Sequence, residues 1–182
     1  MVLGLSAGFV VAAVGAGGAA REVDEQVEIV SRRVVLPPVF RPAKLSIPSI
    51  GLQSAPVIKV WTRADGSMDT PKTAEDVAWH ELVKPGAGNA LFAAHHDWNG
   101  KEGSFYHLDK LKEGDEVYVF GEDKSLTFEI TWIKEYDADV DATDILGDDG
   151  KPIVTLITCS GYFDPRTRHH VNRLVARGVL SA

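Results

Sequence analysis

Along most of the chain the apolar residues come in short, β-branched runs cut by Gly, Pro and Asp. Lys44 to Pro48, Ala55 to Trp61, Asn89 to Ala94, Glu116 to Phe120, Leu126 to Tyr136, Ile153 to Cys159 and Arg173 to Leu180 each read as a strand. Glu116 to Phe120 and Thr127 to Ile133 alternate apolar with polar at period two. With turn residues Gly121 to Lys124 between them, they predict an antiparallel pair. Helical periodicity is sparse. It predicts short pieces over Thr73 to His80, where Thr73 caps a first turn with Asp76 three residues on, Phe105 to Leu111, ending before Gly114, and Val140 to Leu146. No internal repeat is visible. Short strands at this spacing predict a mainly β domain, closed or sandwiched, rather than a parallel α/β sheet.

The N-terminal region breaks this pattern. Residues 2–20 carry no charge and, at about 1.5 Å per helical residue, reach roughly the 30 Å of a bilayer's hydrocarbon core. Five Gly and six Ala leave only four Val, two Leu and Phe9 as large apolar groups, and no Lys or Arg precedes them. The stretch reads as a hydrophobic anchor helix, as a cleaved signal peptide ending near Gly18 to Ala20, or as a buried helix. Either of the first two sends the rest of the chain outside, and the expected location is a single-pass protein of the cell membrane with an extracellular domain. Arg21 to Arg41 is charged and then punctuated by Pro37, Pro38 and Pro42, as in a solvated stalk. The expected division is an anchor or signal over 1–20, a linker over 21–40 and one domain over 41–182.

Composition narrows the function. Nineteen Lys and Arg against 26 Asp and Glu give a net charge of -7, without the basic field that holds a nucleic acid backbone. One cysteine, Cys159, excludes an intrachain disulfide framework and any Cys-based zinc ribbon, leaving an inert core thiol or a reactive one.

Three residues have the chemistry and the placement for a reaction. Cys159 ends the apolar run Ile153 to Thr158 and precedes Ser160-Gly161, so a buried strand delivers the thiol to a loop. His95 ends the run Ala90 to Ala94 before the polar His96-Asp97-Trp98-Asn99-Gly100. Arg173 opens the last strand. If these strand ends meet at one rim, a nucleophile, a proton-transfer group and an oxyanion-stabilising cation converge, the parts of covalent acyl transfer. At ordinary pKa values of about 8.5 and 6.5, roughly 3% of such a thiol is thiolate at pH 7 and roughly a quarter of the imidazole is protonated, so a chance ion pair is scarce.

Thr155-Leu156-Ile157-Thr158-Cys159 resembles the TLxTC signature of sortases, cysteine transpeptidases that attach proteins to the Gram-positive cell wall or assemble pili. The likeness runs over about residues 41 to 180. Ile47-Pro48-Ser49-Ile50-Gly51-Leu52, Val77-Ala78-Trp79, Pro85-Gly86, Gly88-Asn89, Ala94-His95, Phe105-Tyr106-His107-Leu108, Leu111-Lys112-Glu113-Gly114-Asp115 and Arg173-Leu174-Val175 follow in the family's order. Ala94 stands where the family commonly has Gly. The resemblance implies an eight-stranded sortase β-barrel with His95, Cys159 and Arg173 as catalytic residues. Thr158 and Ser160 are the expected substrate contacts, with the amide after Cys159 as a second oxyanion donor. It further implies cleavage of an LPxTG-like sorting signal after Thr through a Cys thioester. An amine from a peptidoglycan precursor or a pilin lysine then resolves the thioester, and no cofactor is involved. His95-His96-Asp97-Trp98 and a long Gly161 to Asn172 loop are closer to actinobacterial-type housekeeping sortases of classes E and F. No lid with an acid-aromatic plug is evident in residues 21 to 41, so an open site is expected.

Two other classes were weighed. His95-His96-Asp97, His107 and His169-His170 hold enough donors for a metal-dependent hydrolase, but neither His-Glu-x-x-His nor a Cys pair occurs. Asp137 to Asp144 superficially resembles a calcium loop, yet Ala142 replaces the turn glycine and Asp148 the twelfth-position Glu. A noncatalytic extracellular binding module on the same barrel is the remaining alternative.

Overall fold

The computed structural model describes residues 40–81, 85–147 and 151–181. The anchor expected over 1–20 and nearly all of the linker lie outside these. The described chain forms ten strands: β1 Lys44–Ile47, β2 Leu52–Val60, β3 Val77–His80, β4 Asn89–Ala93, β5 Asp97–Trp98, β6 Lys101–Glu102, β7 Glu116–Phe120, β8 Ser125–Asp137, β9 Ile153–Asp164 and β10 His169–Leu180. One short helix, α1, spans Ala142–Leu146. Eight strands close into a barrel in the order β1-β2-β3-β4-β9-β10-β8-β7, with β7 pairing back onto β1. This is the eight-stranded barrel that the resemblance implied.

The alternation that predicted β7 and β8 is the alternation that builds them. Val117 and Val119 point inward opposite Phe128 and Leu126, and Gly121 N–H to Lys124 O at 2.8 Å closes the turn between the strands. The interior holds Leu45, Ile47, Phe92, Phe105, Leu108, Phe128, Ile130 and Leu156, all almost fully buried. Each contributes about 1.5–3 kcal/mol of transfer free energy.

Two expectations are corrected. Thr73 does cap a turn, accepting from Asp76 N–H at 3.2 Å, but the helix expected over Thr73 to His80 does not continue. Val77–His80 is a strand parallel to β2, and all four of its residues are buried. A short strand covered on both faces shows no period-two signal. The Gly161 to Asn172 loop is also absent. β9 and β10 run on past Cys159 and before Arg173 as an antiparallel hairpin, paired out to Asp164 and His169. Arg173 is therefore the fifth residue of its strand rather than the first.

Phe105 to Leu111 forms tight turns and a 3-10 turn over Leu108–Lys110. Phe105, Leu108 and Leu111 are buried at a spacing of three, the repeat at which 3-10 side chains eclipse. The helix expected over Val140 to Leu146 appears as α1. Asp141 caps it, its Oδ1 accepting from Thr143 N–H and Oγ1, each at 2.8 Å. That carboxylate of the calcium-like stretch is thus occupied by the backbone.

Candidate active site

Three neighbouring strands place the chemistry. β4 runs parallel beside β9 with Ala93 opposite Ile157, and Ala94 N–H donates to Ile157 O at 3.2 Å. Just past the end of β4, His95 lines the same groove as Cys159. Across the other edge of β9, Cys159 is paired directly with Arg173 of β10. Strands lie about 4.8 Å apart, so imidazole, thiol and guanidinium form a row across β4, β9 and β10 with the sulfur in the middle.

The row faces outward. Val154 and Leu156 of β9 and Ala90 and Phe92 of β4 fill the core, and alternation turns Ile157 and Cys159, with Leu91 and Ala93, to the opposite face. There they floor a groove of about 1170 Å³ that His95, Cys159 and Arg173 all line. The 62–71 segment between β2 and β3 and Ile145 and Leu146 of α1 add to its walls. Asn89 amide to Leu146 O at 3.2 Å and Arg177 guanidinium to Ile145 O hold the end of α1 against the barrel. Thr155 Oγ1 in turn donates to Asn89 Oδ1 at 2.7 Å.

His95 is held from two sides. Its ring stacks on Trp98 at 4.3 Å, and Nε2 lies 2.8 Å from the carbonyl of Pro71. A carbonyl only accepts, so Nε2 carries a proton, and in the neutral ring Nδ1 is the basic atom. Behind it the backbone is tightly packed: Phe105 N–H donates to His95 O at 3.1 Å, and a Cβ at Gly103 would stand 2.1 Å from that oxygen. Ala94 takes no positive φ, which explains why Ala is accommodated where the family commonly has Gly.

Arg173 is anchored by the backbone, with Nη1 donating to Asn172 O at 2.8 Å and to His170 O at 3.1 Å. Its Nε and Nη2 carry no hydrogen bond among the described residues, so they are available to an oxyanion or a peptide carbonyl. Cys159 is half-buried. Burial pushes its thiol above the usual range, the Arg173 charge pulls it down, and Asp97 pushes it up. Burial, the largest of these effects, thus favours the thiol over the thiolate.

The expected substrate contacts turn out differently from the catalytic row. Thr158 is 3% exposed, and its hydroxyl donates to Ala94 O at 2.9 Å, tying β9 to the residue before His95. Ser160 is half-buried, and its Oγ is closed off from solvent with no hydrogen-bond partner among the described residues. On the alternation of β9 both side chains alternate with that of Cys159, although Thr158 still borders the groove.

The residues around His95 that the sequence reading treated as loop are ordered. β5 and β6 form a hairpin whose turn, Asn99-Gly100, has both φ values positive, at 52° and 76°. Asn-Gly is the signal for this turn type. The hairpin sets Trp98 under His95 and brings Asp97 Oδ2 within 3.2 Å of His170 Nε2 on β10. His170 Nδ1 lies 3.1 Å from Gly161 O, so both ring nitrogens face an acceptor. His96 stacks on Tyr106 at 4.6 Å and meets His170 edge-on at 5.5 Å. Among the described residues no three of His, Cys, Asp and Glu are grouped to hold a metal ion.

Comparison with known proteins agrees with this fold. The profile of the sortase domain matches residues 45–181. Sortase A of Bacillus anthracis is 29% identical over 128 residues, 70% of this chain and 56% of that protein, so the chain spans little more than half of that relative's length. Among solved structures, Listeria monocytogenes sortase A superposes with a TM-score of 0.60 at 21% identity, covering 76% of this chain and 86% of that one. A lid mutant of sortase A from Corynebacterium diphtheriae gives 0.61 at 24% identity over 80% and 71%. The pilus-related sortase C of Group B Streptococcus gives 0.61 at 23% over 81% and 70%. With the profile covering most of its length and the barrel shared, this chain belongs to the sortase family.

Proposed function

We propose that this protein is a cysteine transpeptidase that cuts an LPxTG-like sorting signal after Thr and passes the new acyl end to an amine. The observation that carries this reading is the His95, Cys159, Arg173 row on the apolar floor of one groove. As Cys159 sulfur attacks the Thr carbonyl, its proton passes to His95 Nδ1. The free donors of Arg173 receive the oxyanion, and His95 returns the proton to the departing amine. The thioester waits until an acceptor amine attacks, with His95 taking the proton and giving it to the leaving thiolate. Because burial favours the thiol over the thiolate, its proton moves during attack, not before.

In this reading residues 2–20 tether the domain to the cell membrane, facing outward, and the acceptor is an amine of a peptidoglycan precursor or a pilin lysine. The test incubates LPxTG and LAxTG peptides with the protein and hydroxylamine and identifies products by mass spectrometry. A hydroxamate that disappears in Cys159→Ala, His95→Ala and Arg173→Ala supports the three roles. A hydroxamate that persists in Cys159→Ala refutes the mechanism, and a wild type that forms none on any peptide favours the noncatalytic module.

A further inference from the structure

The second half of the proposed reaction needs an amine at the thioester, and near neutral pH an aliphatic amine arrives as an ammonium ion. Two carboxylates line the groove among the described residues, Asp69 and Asp97. Asp69 already holds a permanent cation: its Oδ1 takes Arg63 Nη2 at 2.6 Å and Nε at 2.9 Å and also accepts from Thr70 N–H, which leaves its negative charge paired although Oδ2 is open. Asp97 is different. Its Oδ2 faces His170, but its Oδ1 has no protein partner among the described residues, and the side chain is 49% exposed.

Asp97 is also in the right place. It lies two residues after His95, in the hairpin whose Trp98 carries the His95 ring, and it faces the β9–β10 hairpin that holds Cys159 and Arg173. Its charge is felt at the sulfur. A cation held at Oδ1 therefore sits in the same groove as the atom that carries the acyl group and the ring that removes the proton.

We propose that the open oxygen of Asp97 is the docking point for the ammonium of the acceptor that resolves the thioester. His170, hydrogen-bonded to the other oxygen, keeps this carboxylate oriented while no acceptor is bound. The docked ammonium loses one proton to solvent, and the free amine then attacks the thioester carbon. The carbon–sulfur bond breaks, and the second amine proton reaches the sulfur through His95 Nδ1, leaving an amide and the Cys159 thiol. This inference rests on the transpeptidase reading and adds the chemical class of acceptor it selects: amines that are cationic in solution.

The test is a competition on the full chain. One LPxTG peptide is supplied with both Nα-acetyl-lysine amide, whose side chain is an ammonium at pH 7, and hydroxylamine, which is largely uncharged there. The ratio of the two products depends only on steps after the thioester, so any change in how fast Cys159 is acylated divides out. Asp97→Asn is expected to lower the amide-to-hydroxamate ratio by about tenfold, the scale of one charge-assisted hydrogen bond, with partial recovery in Asp97→Glu. His170→Gln, which releases Oδ2, is expected to hold or raise the ratio.

An unchanged ratio in Asp97→Asn overturns the proposal. So does a His170→Gln that lowers the ratio as much as Asp97→Asn, since Asp97 then serves only to tether the hairpin. If Asp97→Asn does not fold, His170→Gln alone decides. Failure of the wild type to form hydroxamate on any peptide sinks the transpeptidase reading itself, a result separate from a wild type that makes hydroxamate with an indifferent Asp97.

Discussion

Thr158 offers a sharp test, because its position in the signature reads as substrate contact while its place in the fold makes it a strut. Thr158→Val keeps the shape and removes the hydroxyl. The carbonyl of Ala94, a residue 7% exposed, then loses the 2.9 Å bond that Thr158 supplies. Leaving a buried carbonyl unpaired costs about 1–3 kcal/mol, partly offset by burying a methyl in place of the hydroxyl, so a net loss of about 1–2 kcal/mol is expected. For a chain of this size that lowers Tm by roughly 2–8 °C. The freed carbonyl is one residue from His95, and a misplacement of the imidazole by about 1 Å is enough to cost up to 100-fold in kcat. The expected result is therefore a lower Tm by circular dichroism and a kcat reduced ~10-fold or more, with KM little changed, in a fluorogenic peptide assay. Thr158→Ser gives up a buried methyl, roughly 1 kcal/mol, but keeps the bond and hence kcat. An unchanged Tm with a raised KM in Thr158→Val refutes the strut and returns Thr158 to the substrate.

Gly103→Ala would place a Cβ 2.1 Å from His95 O and 2.8 Å from His95 Cβ, atoms that cannot swing away. A loss of about 1–3 kcal/mol in urea unfolding and a kcat lowered roughly 100-fold are expected, whereas Gly147→Ala, whose nearest neighbour is 3.7 Å away, changes neither beyond about 0.5 kcal/mol. Burial raises the Cys159 thiol and Arg173 opposes it, so the pH midpoint of iodoacetamide alkylation lies above that of a free thiol. It climbs further in Arg173→Gln and falls in Asp97→Asn; a midpoint unmoved by both changes contradicts the assigned neighbours. His96 titrates below its ordinary value, chiefly through burial. A ring whose folded pKa is lowered favours the fold fully above the unfolded value near 6.5, and that contribution is lost as pH falls through the folded value. Chemical denaturation from pH 8 to 5 should show this acid limb, and His96→Gln should flatten it.

Much of the site is written locally. The end of an apolar run is a local signal, and Cys159 and His95 stand at two such ends, so both are visible as chemistry before any fold is known, although β9 itself runs on past Cys159. The β7–β8 pair is equally local, since one face is buried and the period of two survives. Asn99-Gly100 is a local signal too, but the strands beside it are two residues each, too short to display alternation. What tertiary structure alone decided is which strands are neighbours. β3 is sequence-silent because both of its faces are covered. The inward turn of the Thr158 hydroxyl, the Pro71 carbonyl on His95 Nε2 and the meeting of Asp97 with His170 join residues 24 to 73 positions apart. Composition and spacing determine which side chains are able to react; barrel closure, a register set by nonlocal hydrogen bonds, determines which of them face the same groove.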